Sequence, residues 1–207
     1  MNVNSLITYL KSCGIHDFNV LNAMKNILRE NFVLEEHKSL AYEDNALPII
    51  SGQSISQPYT VALMLQEAEL KKGDKVLEIG AGSGWNAALI NLITKNKVFS
   101  VEFNKEVAEF AKKNLQKNKI KNVDVIIGDG NKGYEKESPY DKIIVTAACS
   151  KIPSELLKQL KDDGILLVPV GNLLEQELIK MKKTNKELEK KYLGKFIFVP
   201  LKGKYGF

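Results

Sequence analysis

Apolar residues near the start of the chain recur at helical spacing. Asp17 can cap a segment in which Val20, Leu21, Met24, Ile27 and Leu28 fall on one helix face, and the first fifty residues read as helical. Residues 41–57 lose that period and collect turn formers: Asp44, Asn45, Pro48, Gly52, Ser54 and Ser56. A loop of that length inside a compact domain is more often functional than idle. Pro58 is well suited to the first position of a helix, and the run Tyr59 to Leu70 continues helically until Lys72-Gly73-Asp74 breaks it.

From residue 75 short apolar runs alternate with helical patterns. Strands are predicted at 75–79, 97–101, 123–127, 141–146 and 165–169, and helices near 84–94, 104–117 and 153–161. The second of these helices carries Val107, Phe110, Ala111 and Leu115 on one face, and Gly164 after Asp162-Asp163 stops the third. This alternation predicts an α/β fold built on a doubly wound, mostly parallel sheet. Residues 176–201 read as two strands around a polar turn at Thr184-Asn185-Lys186, ending in Phe196-Ile197-Phe198-Val199. That makes an antiparallel C-terminal hairpin, which a parallel sheet can accept at its edge. The 207 residues are expected to form one domain. Within it, 1–57 is a helical extension and loop, 58–171 the core, and 172–207 the C-terminal strands.

Composition narrows the class. An apolar fraction of 44% fits a globular protein, and the longest apolar run, Ile165 to Val170, is far short of a membrane span. Met1 to Leu6 lacks the pattern of a signal peptide, so the cytoplasm is the expected location. Cys13 and Cys149 are too far apart in sequence to read as a disulfide framework, and they are expected to act as small buried hydrophobes. His16 and His37 have no partners at metal-ligand spacing, so no metal site is expected. The net charge of +5 raises the question of nucleic acid, but the lysines are spread out. The densest run, Lys180 to Lys195, is interleaved with Glu187 and Glu189 and reads as a solvated hairpin; no nucleic-acid partner is expected.

The chemistry concentrates in residues 75–86, Lys-Val-Leu-Glu-Ile-Gly-Ala-Gly-Ser-Gly-Trp-Asn. A short strand runs into Gly80, Gly82 and Gly84, and a helix starts at once behind them. Backbone can come very close to a ligand there, beside Ser83 and the helix end. Glu78 just before the glycines suits a cationic, donor-rich ligand such as S-adenosylmethionine better than a bare phosphate. A dinucleotide site would show G-x-G-x-x-G. Here the spacing is G-x-G-x-G, with Trp85 and Asn86 in place of the third glycine, which disfavours NAD. In a doubly wound sheet the ligand lies beyond the carboxyl ends of the strands. Glu102 ends the second strand and can accept both ribose hydroxyls. Asp129, followed by Gly130, ends the third and can accept from an adenine amino group; Thr146 ends the fourth.

Pro48 to Pro58 then points to a substrate. The blocks Ala41-Tyr-Glu-Asp-Asn-Ala-Leu-Pro48, Gly52-Gln-Ser-Ile-Ser-Gln-Pro58, Val76 to Gly84, Gly128-Asp-Gly130, Pro139-Tyr-Asp141 with Ile144 to Ala148, and Phe198-Val-Pro-Leu201 occur in order. In these the chain resembles the protein-L-isoaspartate (D-aspartate) O-methyltransferases over nearly its whole length. The glycine block is shared by many methyltransferases, whereas the serine loop and the terminal block are highly specific. The resemblance implies methyl transfer from S-adenosyl-L-methionine to the free carboxylate of L-isoaspartyl residues, with D-aspartyl residues as a second possibility. The ester then collapses to a succinimide, which repairs damaged proteins and peptides. It implies no metal, and the oligomeric state stays open with a monomer favoured.

The family's active-site serine falls on Ser56, with Gln53 and Ser54 as neighbours and Val199 and Leu201 near the substrate. Ser56 lies two residues before Pro58, so the N–H groups of that helix end are expected to be free to attract an anion. The alternative role for Ser56 is a simple helix cap. Three departures from the family pattern stand out: Ser54 and Ala81 each stand where Thr is common, and Trp85-Asn86 where Tyr-Gln is usual. Two competing readings are an RNA methyltransferase on the same core and a binding protein that keeps the cofactor site without turnover.

Overall fold

The computed structural model describes residues 1–184, 187–203 and 207, so two residues of the expected turn, Asn185 and Lys186, lie outside the described residues. Two helices lead the chain, α1 (Val3–Ser12) and α2 (Phe18–Asn26). Asp17 caps α2 as its position suggested, its carboxylate accepting from the N–H groups of Asn19 and Val20. The helical reading of the first fifty residues goes too far, however. Beyond Asn26 the chain makes only 3-10 turns at Arg29–Asn31 and Glu35–Leu40. Ile27 leaves the helical conformation, and its carbonyl accepts from the Trp85 indole at 3.0 Å, so a contact distant in sequence ends the helix before Leu28.

Two short strands, β1 (Leu47–Pro48) and β2 (Ser54–Ile55), pair antiparallel and close the loop before α3 (Pro58–Glu67). The alternating core follows: β3 (Val76–Ile79), α4 (Trp85–Thr94), β4 (Val98–Glu102), α5 (Lys105–Lys117), β5 (Val123–Ile127), β6 (Tyr140–Val145), α6 (Ser154–Gln159) and β7 (Leu160–Gly171). β8 (Gln176–Lys183) and β9 (Leu188–Phe196) complete it.

Among the described residues the main sheet has seven strands in the order β5-β4-β3-β6-β7-β8-β9. β3 is parallel to both β4 and β6, and β7 to β9 run antiparallel. The chain therefore winds outward in two directions from the β3/β6 pair, which makes that pair the switch point.

Residues one apart on a strand face opposite ways, and two cores follow from this. Val76, Val98, Ile144, Ile165 and Leu167 join the helices α1 to α5 on one face. Leu77, Phe99, Ile143, Leu166 and Val168 pack with Tyr140 and Leu156 of α6 on the other. Cys149 is buried in the second core, where desolvation pushes its thiol up to about 12, while Cys13 is only half-buried. Several hairpin lysines are held in ion pairs: Lys180 and Lys191 with Glu67, and Lys195 with Glu175.

Two boundaries differ from the periodicity. α6 ends at Gln159 and the chain enters β7 directly at Leu160 instead of stopping at Gly164, with a shift of register against β6. β9 ends at Phe196, so the tail does not stay in the hairpin through Val199. Instead the Ala148 N–H donates to the Val199 carbonyl at 2.8 Å, and the Leu201 N–H donates to the Ala148 carbonyl at 2.9 Å. The terminal block is thereby stitched to the extension of β6, at the carboxyl edge of the sheet.

Gly84 shows how tightly the glycine turn is built in. Its φ is +84°, and an added Cβ would sit 3.2 Å from both the Ala111 carbonyl oxygen and Leu115 Cγ of α5. The left-handed conformation and the lack of space both penalise a side chain. Gly84→Ala is expected to cost about 2 kcal/mol or more of stability, to be read from the urea unfolding midpoint.

Candidate functional site

A cavity of about 390 Å³ opens at the carboxyl edge of β3, β4 and β6. That volume suits a small-molecule ligand. Four parts of the chain form its wall: the loop from Ala46 to Gln57, α3 through Thr60, Val61 and Met64, the strand ends of the core with the start of α4, and the terminal segment from Ile197 to Lys202. Of the residues singled out from the sequence, Gln53, Ser54, Ser56, Gly80, Gly82, Ser83, Glu102, Gly130, Thr146, Val199 and Leu201 all line it. Glu78, Gly84 and Asp129 are not on its wall.

The glycine turn has the backbone geometry that close approach demands. Gly80, Gly82 and Gly84 have φ of +97°, +53° and +84°. A Cβ on Gly80 would collide with the Thr146 hydroxyl, whereas one on Gly82 would meet only the Ser54 carbonyl oxygen, at 3.9 Å. Thr146 donates to the carbonyls of Ile79 and Gly80 and so props the turn from the neighbouring strand. Ser83 accepts from the Trp85 N–H at 3.3 Å and starts α4. Gly130 has no space for a side chain, since its Cβ would run into Ile79.

The two acidic strand ends have different surroundings. Glu102 borders the cavity, with one oxygen accepting from the Gly82 N–H at 3.2 Å and the other from the Asn104 N–H at 3.0 Å. These bonds fix the carboxylate while leaving lone pairs for a ligand. Glu78 is completely buried and shares the strand face of Val76, under α4. There it accepts from the Asn86 amide at 2.8 Å and from the Ser100 hydroxyl. Strand alternation, not chain distance, takes this carboxylate off the cavity wall. Burial pushes its pKa up to about 7, opposed by the hydrogen bonds from Ser100 and Asn86.

Asn86, on the wall itself, was passed over in the sequence as part of a variant dipeptide. Its amide nitrogen is anchored on Glu78, and its buried Oδ1 has no hydrogen-bond partner among the described residues. Such an oxygen calls for a donor. Asp129 instead caps the following turn, accepting from the backbone and side-chain N–H groups of Asn131, and its neighbour Gly130 reaches the wall. Phe103, 55% exposed at the cavity edge, carried no signal beyond being the residue after Glu102.

Ser56 lies on the wall, half-buried, in the loop that folds over the glycine turn. It is not a helix cap, because Gln57 occupies that position and makes no capping bond. Nor are the helix N–H groups all free, as expected from Pro58: the Tyr59 N–H donates to Asp44 at 2.7 Å. The same carboxylate takes the Gln57 amide at 2.8 Å and ties the loop to the helix. Among the described residues the Ser56 hydroxyl has no partner. At the loop's tip, Ser51 donates to Glu106 of α5 at 2.7 Å, which draws residues 50–52 across the glycine turn.

The fit to S-adenosyl-L-methionine can be tested on these atoms. Glu102 would hold the ribose hydroxyls, the Asn86 oxygen is a ready acceptor for the ammonium, and the bare backbone at Gly82 admits the amino-acid end. Comparison with known proteins agrees. Residues 1–206 match the model of the protein-L-isoaspartate(D-aspartate) O-methyltransferase family. The chain belongs to this family. It is 48% identical over 194 residues to a protein-L-isoaspartate O-methyltransferase of Pyrococcus abyssi, covering 93% of this chain and 90% of that protein. A solved protein-L-isoaspartate O-methyltransferase superposes with a TM-score of 0.90 at 34% identity, covering 99% of this chain and 67% of that one. A beta-aspartate methyltransferase from Plasmodium falciparum, in complex with S-adenosyl-L-homocysteine, gives a TM-score of 0.86 at 28% identity and covers 98% and 99%. The chain is an S-adenosyl-L-methionine-dependent protein carboxyl methyltransferase with a Rossmann-like fold.

The burial of Glu78 gives stability a pH dependence. Below about pH 4.5 the carboxyl is protonated in both folded and unfolded chains. From there to about pH 7 the unfolded chain gives up its proton while the folded chain keeps it, so stability falls as pH rises. Glu78→Gln removes this component. Its stability relative to the native chain is expected to rise by on the order of 3 kcal/mol between about pH 5 and about pH 8, read from urea unfolding without cofactor.

Proposed function

We propose that this chain repairs isoaspartyl damage by holding a substrate carboxylate in line with the methyl donor, and that Ser56 is the residue that grips it. The observation that carries this reading is the placement of Ser56. An otherwise unpartnered hydroxyl faces the cavity whose floor is the glycine turn and Glu102. When bound, S-adenosyl-L-methionine supplies an electrophilic methyl group. The isoaspartyl carboxyl is of the main-chain type, with a pKa near ~3.5, and is already an anion at neutral pH. No general base is called for, and none of the wall residues has to supply one.

What remains for the protein is position and dryness. One hydrogen bond from the Ser56 hydroxyl fixes one carboxylate oxygen and leaves the other free to attack. Ile55, Ile79, Val101, Phe198 and Leu201 keep the wall around the reacting groups apolar. Orientation can supply ~7–11 kcal/mol of the barrier. Loss of water from the carboxylate adds to this, because the negative charge disappears in the reaction. Gln53 and Ser54 border the same loop, and the stitched segment Val199 to Leu201 forms the opposite wall. An extended peptide between them would use backbone contacts and accept varied flanking sequences. This reading extends to proteins damaged in the cytoplasm, where Cys13 and Cys149 would persist as thiols.

Two experiments test the reading. Labelled S-adenosyl-L-methionine and a peptide in its Asp and isoAsp forms should give base-labile ester only on the isoAsp form; label on RNA, or none despite cofactor binding, would sink it. Ser56→Ala should bind S-adenosyl-L-homocysteine within about twofold of the native affinity. Its kcat should fall by about ten- to a hundredfold, the worth of one hydrogen bond to a charge.

A further inference from the structure

Arg29 is completely buried, an unusual state for this residue type. Its guanidinium donates to three main-chain carbonyls: Ala41 at 2.8 Å, Asn45 at 2.9 Å and Ser56 at 3.1 Å. Ala41 and Asn45 lie in the opening stretch of the loop over residues 41–57, and Ser56 lies at its end. The loop therefore converges on one side chain, and the last carbonyl belongs to the serine that faces the substrate. The guanidinium carbon also lies 5.5 Å from the centre of the Trp85 ring. Trp85 is the first residue of α4, directly behind Gly84, and its indole is fixed on the Ile27 carbonyl. One cation thus touches both the loop that carries Ser56 and the helix that starts at the glycine turn.

We propose that Arg29 is a positioning residue for methyl transfer, setting the place of Ser56 relative to the glycine turn through the Ser56 carbonyl and the Trp85 ring. This rests on the reading of Ser56 as the residue that grips the carboxylate. The planar fork is what the role requires. A lysine could keep the charge but could not hold several carbonyls in fixed directions.

The test is a double-mutant cycle of Arg29→Lys and Ser56→Ala, with kcat measured at saturating cofactor and isoAsp peptide and expressed per site that binds S-adenosyl-L-homocysteine. Arg29→Lys alone is expected to bind that ligand within about threefold of the native affinity while kcat falls by on the order of 100-fold, the scale of a small misplacement. In the Ser56→Ala background the same change should cost less than about threefold, because the two substitutions remove one function. Trp85 is the sole tryptophan, and its emission should shift in Arg29→Lys, reporting the altered contact directly.

Full additivity of the two substitutions, or native kcat per binding site in Arg29→Lys, overturns the role of Arg29 while leaving that of Ser56 intact. Native kcat in Ser56→Ala overturns the reading of Ser56 itself. Should Arg29→Lys bind no S-adenosyl-L-homocysteine, Arg29→Gln, which keeps two amide donors, takes its place in the cycle. Loss of binding in both makes Arg29 a folding residue and also overturns the proposal.

Discussion

The parallel pairing of β3 with β4 on one side and β6 on the other is the constraint from which the site follows. In that register Ile79, Val101 and Val145 stand side by side, so three chain exits lie at one edge of the sheet. A parallel strand cannot turn back on itself and must leave by a crossover. The exits at this edge are accordingly where glycines, acids and caps can be placed without breaking the ladder. The glycine turn, Glu102 and Thr146 occupy three adjacent exits, and bonds between them rather than to distant groups hold them in place. Everything else in the site is brought to this edge from elsewhere in the chain. The loop that carries Ser56 arrives from before the sheet and the terminal segment from after it.

Much of this was legible because it is periodic or local. The core strands and helices follow from alternation of apolar runs, and the cap at Asp17 from a single residue type in a single place. The parts that were not legible depend on contacts far apart in sequence. α2 stops at Asn26 because the Trp85 indole takes the Ile27 carbonyl, which no local pattern announces. The terminal block leaves β9 for Ala148 because the exit of β6 offers it an open N–H and carbonyl. In the site, Glu78 illustrates a second limit. Sequence position puts it one residue from the cavity-facing Ile79, yet strand alternation turns its carboxylate under α4. Arg29 is a third case. No pattern in the sequence marks Arg29, and only the folded loop shows three carbonyls converging on it.

The reaction this family performs asks little acid–base chemistry of the protein and a great deal of placement. The structure matches that demand in where its polar groups are spent. Asp44, Arg29 and Ser51 are all used on the geometry of one loop, each through bonds to backbone or to a neighbouring helix. The two acidic residues at these strand ends are likewise tied down, Glu102 by two backbone N–H groups and Glu78 by Asn86 and Ser100. Rigid placement of weakly reactive groups is the physical content of catalysis by orientation.

The outer strand β9 has a consequence for life among damaged proteins. It is one of the two outer edges of the sheet, mostly exposed, and it carries Glu189, Lys190, Lys191 and Lys195. Extended segments of other chains can pair with an open strand edge. Any segment that added to β9 would have to desolvate those charges, a barrier that keeps a sheet from seeding aggregates. The charges of β9, part of the basic excess of the chain, thus insulate this edge of the sheet.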